Sequence, residues 1–75
     1  MNMNETKGYK MNTKTLEQLI ENANDFIELR YQAHNLSLSE VQDALWLTEG
    51  FLTNENQKNA YQIVFNTYTS RRASK

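Results

Sequence analysis

Three stretches of the chain repeat apolar residues at intervals of three and four, the spacing of one helix face. The first runs Leu16, Leu19, Ile20, Ala23, Phe26, Ile27, Arg30, Tyr31 and predicts a helix over about 15–34. At 1.5 Å per residue it would be about 30 Å long. Thr15 and Gln18 have the spacing of a capping box, and Glu17 falls in the first turn, where the helix dipole favours an anion. The second stretch runs Leu38, Val41, Ala44, Leu45, Thr48, Phe51, Leu52 and predicts a helix over 38–52. Its start is doubly specified: Ser37 and Glu40 form a capping box, and Leu36 with Val41 a hydrophobic staple. Gly50 costs about 1 kcal/mol inside a helix, yet Phe51 and Leu52 continue the stripe beyond it. The third stretch holds Ala60, Tyr61, Ile63, Val64, Phe65 and Tyr68 and predicts a helix over 55–70, capped by Asn54 with Gln57. Its apolar side chains spread over about 200°, wider than one buried stripe needs.

The link between the first two helices is only about two residues long and demands a sharp reversal. Short links favour antiparallel neighbours, so the expected fold is all-α, a small three-helix bundle. Residues 1–12 lack periodicity and read as a flexible polar tail; residues 13–75 read as one helical domain with a basic C-terminal end. Met11 opens directly on the first helix and is a candidate alternative start.

Composition qualifies this picture. Leu, Ile, Val and Phe make up 16 of the 75 residues, barely enough for a core. So short a chain buries only about 60% of its unfolded surface, which makes a homodimer an expected way to add buried area. No cysteine is present, so disulfides and thiolate chemistry are excluded. No apolar run approaches the roughly 20 residues of a membrane span, and the N-terminus lacks an apolar signal core. A soluble cytoplasmic protein is expected. The formal net charge of −1 conceals strong segregation. Residues 1–14 carry a net +2, residues 15–55 a net −7 and residues 56–75 a net +4.

Candidate chemistry is sparse. His34 is the only histidine and has no foreseeable orienting partner, so neither general acid–base work nor a zinc site is expected. Two glycines cannot build a phosphate-cradling loop. We therefore expect no enzymatic activity, catalytic residue, metal, cofactor or small-molecule substrate.

What remains is binding. Trp46 lies about 160° from the centre of its helix stripe and Leu29 about 130° from its own, at 100° per residue. Together with Leu47 they are candidate apolar anchors for a protein partner, because exposed tryptophan is a strong interface residue. Glu17, Glu21, Asp25 and Glu28 line the opposite face of the first helix. Such a row is commonly just a solvated face; beside apolar anchors it would also steer a basic partner. The expected function is a non-catalytic regulator or inhibitor that binds another protein. The alternative is a helix-turn-helix-like DNA-binding transcriptional regulator. Asn59, Gln62 and Asn66 would then read base edges from the third helix, with Arg71 and Arg72 on phosphates. Against it, the second helix has no tight glycine turn at a suitable offset.

Overall fold

The computed structural model describes residues 15–74, and every regular element among them is helical. The proposed tail and the Met11 start lie outside the described residues. The elements are α1 (Leu16–Asn22), α2 (Phe26–Asn35), α3 (Leu38–Thr48), a 3-10 turn (Glu49–Phe51) and α4 (Glu55–Ala73). The architecture is thus all-α and roughly the expected three-helix bundle, with four helices among the described residues because the first is divided in two.

The first expected helix is two. Thr15 does start α1 with its capping box: its hydroxyl accepts from the Gln18 N–H while Gln18 Oε1 accepts from the Thr15 N–H. After Asn22 the chain leaves the helix through Ala23, whose φ of 50° is left-handed. Asp25 then restarts it, its carboxylate accepting from the Glu28 N–H at 3.1 Å. The three-residue interruption rotates everything after it. Leu29, Gln32 and Ala33, a stripe at i, i+3 and i+4, turn into the core. Ile27 and Tyr31, expected on the buried face, are 83% and 63% exposed.

The α3 start carries the expected capping box, with both arms of the Ser37–Glu40 pair made. Its end does not. The α-helix stops at Thr48, whose buried hydroxyl donates to the Ala44 carbonyl at 2.8 Å, and the 3-10 turn carries Gly50 and Phe51. Phe51 is exposed. Helix α4 begins behind Asn54 as expected but runs to Ala73, three residues past the expected end.

The core is built from Leu16, Leu19 and Ile20 of α1, Leu29 and Ala33 of α2, Val41, Ala44 and Leu45 of α3, and Ala60 and Val64 of α4. The small alanines let helix backbones approach closely. Helix α4 packs on the other three helices and also ties two of them by side chain. Near its start, Gln57 Nε2 donates to the Glu21 carbonyl at 2.7 Å while Gln57 Oε1 accepts from the Thr53 N–H. Near its end, Arg71 Nη1 donates to the Ala33 carbonyl at 2.7 Å. Both acceptors lie in the last turns of their helices, where carbonyls lack intrahelical partners. A cation at the end of α2 also complements its dipole.

Candidate protein-docking surfaces

The expected interface residues do not form one surface. Leu29 has no exposed area at all and is a core residue, not an anchor for a partner. Its off-stripe position holds only for a continuous helix, and the break at Ala23–Asp25 moves it inward. Trp46 is 75% exposed and Leu47 54%. Being adjacent on α3, they point about 100° apart and serve different flanks.

Trp46 belongs to the α3–α4 side. A groove of about 450 Å³ is lined there by Gln42, Leu45, Trp46 and Glu49 from α3 and its 3-10 extension, and by Tyr61, Phe65 and Tyr68 from α4. The three α4 aromatics recur at four and three residues and so share one helix face. Tyr61 and Phe65 stack with centroids 6.3 Å apart and planes 10° apart. The Arg72 guanidinium lies 5.7 Å from the Tyr68 ring centroid, a cation–π contact that extends the row. Burial, and then the Glu49 carboxylate, push the Tyr61 phenol above the ordinary tyrosine range. It therefore remains a neutral hydrogen-bond donor at the groove wall. Among the described residues, the lining includes no serine, lysine or histidine. The α4 aromatics were missed as site residues, although the 200° spread of apolar positions on that helix was their signal.

On another flank, a second groove of about 500 Å³ runs between α1, α2 and α3, with Leu16, Tyr31 and Leu36 among its lining. Its carboxylates are Glu17, Glu28, Glu40 and Asp43. Only two of these belong to the expected acidic row. Glu21 and Asp25 are exposed elsewhere, Asp25 as the α2 cap, because the helix break divides the row. Leu47 follows Glu40 and Asp43 at i+7 and i+4, on the same flank of α3.

The residues of the DNA-binding alternative are placed as follows. Asn59, Gln62 and Asn66 are exposed on α4, and Gln62 Nε2 donates to Asn66 Oδ1 at 2.9 Å. Arg71 is committed to the Ala33 carbonyl and Arg72 to the Tyr68 ring. His34 is exposed in the last turn of α2.

Among the described residues, no cluster of three or more His, Asp or Glu side chains is arranged to hold a metal ion. None of the described helices is long and apolar enough to cross a membrane. Comparison with protein-family models, with curated proteins and with solved structures found no match to this chain.

Proposed function

We propose that this chain is a non-catalytic cytoplasmic protein that regulates or inhibits another protein by docking its α3–α4 groove against it. The observation that carries this reading is Trp46. A tryptophan left 75% exposed beside Tyr61, Phe65 and Tyr68 keeps a large apolar area in water. Contiguous patches of this kind mark interaction sites on soluble proteins, and aromatic residues dominate interface hot spots. The shape favours a macromolecule. A small ligand is held in a concavity that buries most of it, whereas Trp46 protrudes and needs a partner surface around it. Glu17, Glu21, Asp25 and Glu28 contribute a long-range acidic field that would favour a partner with a basic surface.

Trp46→Ala is expected to lower affinity for the partner by at least about 30-fold, the scale of a 2 kcal/mol hot spot. Because the side chain is mostly in water, the folded state should change by no more than about 0.5 kcal/mol. Partners recovered with the wild-type chain, identified by mass spectrometry, should be lost with Trp46→Ala and kept with Ile27→Ala, an equally exposed apolar residue on α2. Equal recovery by all three proteins would refute the reading. Sedimentation of the same proteins shows whether the partner is a second copy.

A further inference from the structure

The aromatic row of the α3–α4 groove carries opposite charges at its two ends. At one end the Glu49 carboxylate is exposed and close enough to Tyr61 to act on its phenol. At the other the exposed Arg72 guanidinium lies 5.7 Å from the Tyr68 ring centroid. Along the axis of α4, Tyr61 and Arg72 are about 16 Å apart. Between these ends stand Trp46 of α3, 75% exposed, and Phe65 of α4, 42% exposed.

A surface with an acid at one end, a cation at the other and aromatic rings between is complementary to itself. An isologous pair sets one patch against the same patch on a second copy. When the twofold axis crosses the row near its middle, the second copy lies end for end on the first. Each Glu49 then faces the Arg72 end of the other copy, and each Trp46 meets the Phe65 and Tyr68 rings of the opposite groove. We infer that the occupant of the α3–α4 groove is a second copy of this chain, docked end for end about such an axis. Area argues the same way. An aromatic side chain buries about 150–250 Å², so four that are partly exposed leave on the order of a few hundred Å² on each copy. The symmetric pair uses this patch twice, and with its flanking side chains approaches the roughly 1,000 Å² of a specific interface. This inference rests on the proposed reading of the groove as a docking surface and names what docks there. A second copy and a different target would then compete for Trp46.

Sedimentation of the full chain, from low micromolar to near-millimolar concentration, should show a monomer–dimer equilibrium. Trp46→Ala should weaken dimerisation at least about tenfold while leaving the far-ultraviolet circular dichroism unchanged. Glu49→Arg alone and Arg72→Glu alone should each weaken it at least about tenfold, because each sets like charges opposite one another at both ends. Mixing these two variants should restore dimerisation, since the cations of one copy then face the anions of the other. A monomer at every concentration, larger species, single charge variants that dimerise as the wild type does, or a mixture as weak as either variant alone would each overturn the inference. A wild-type monomer that still recovers a target through Trp46 would overturn it and leave the docking reading in place. Equal dimerisation and equal recovery by Trp46→Ala would remove both.

Discussion

Leu29 and Ile27 are two residues apart on α2, and the fold assigns them opposite fates. Leu29 is fully buried among aliphatic neighbours; Ile27 is 83% exposed. Truncating a buried leucine removes its transfer free energy and leaves a cavity, costing about 2–5 kcal/mol. Leu29→Ala is therefore expected to lower unfolding stability by at least about 2 kcal/mol, a large share of what so small a domain possesses. Ile27→Ala should change it by less than about 0.5 kcal/mol. Urea titrations of the two variants check this directly. A continuous first helix would reverse the order, with Ile27 in the core and Leu29 in water. Trp46 shows the same logic from the other side. Its position opposite the α3 stripe was readable from helix geometry alone, because α3 is unbroken through that residue. Leu29 was misplaced by the same geometry applied across a break.

At the scale of elements, the chain's boundaries were legible where side chains make them. Thr15, Ser37 and Asn54 all cap helices in the structure, and each belongs to a pattern of polar residues three apart. Asp25 and Glu28 have that spacing too. They were hidden by the apolar stripe, which happens to run on through Phe26 and Ile27 as though nothing intervened. The exit residue gave no warning either. Left-handed backbone is usually occupied by glycine or asparagine, since a Cβ there costs about 1 kcal/mol or more, and here the residue is Ala23. The break turns Leu29 and Ala33 into the core, and its one local signal is the Asp25–Glu28 cap spacing. Asp25→Ala makes the two accounts disagree in sign. As a helix cap, Asp25 contributes about 1 kcal/mol, so its loss should lower the thermal midpoint. Inside a continuous helix, alanine would be the better helix former and the midpoint would rise. The end of α3 was misread for a related reason, because Phe51 and Leu52 continue the spacing after the α-helix has tightened into a 3-10 turn. Gly50 in that turn has an ordinary negative φ, and an added Cβ would meet no atom within 4 Å. Gly50→Ala should therefore raise stability by about 0.4–1 kcal/mol, by restricting the unfolded chain. A fall in the urea midpoint would contradict this description of the turn.

Across the whole molecule, α4 provides both order and surface. Its Gln57 and Arg71 satisfy terminal carbonyls of α1 and α2, and its aromatic face completes a groove with α3. The first role occupies one of the five guanidinium donors of Arg71. The second accounts for the unusually wide apolar arc of this helix, one part of which packs on the core while the rest remains beside Trp46. The charge segregation visible in the sequence also acquires a location. Four of the eight carboxylates of residues 15–55, Glu17, Glu28, Glu40 and Asp43, line the α1–α2–α3 groove. How the carboxylates assemble was not legible in sequence, because Glu17, Glu28, Glu40 and Asp43 come from three helices whose mutual rotation depends on the break at Ala23. We propose the α3–α4 groove as the place where another protein binds. Its most direct test is photo-cross-linking in the cell that makes the protein. p-Benzoylphenylalanine is placed at position 46 in one chain and at position 66, on the exposed polar face of α4, in another. The account predicts a discrete adduct of one defined mass from position 46, absent from position 66 and suppressed by Phe65→Ala. Identical adducts from both positions, or none from position 46, would contradict it.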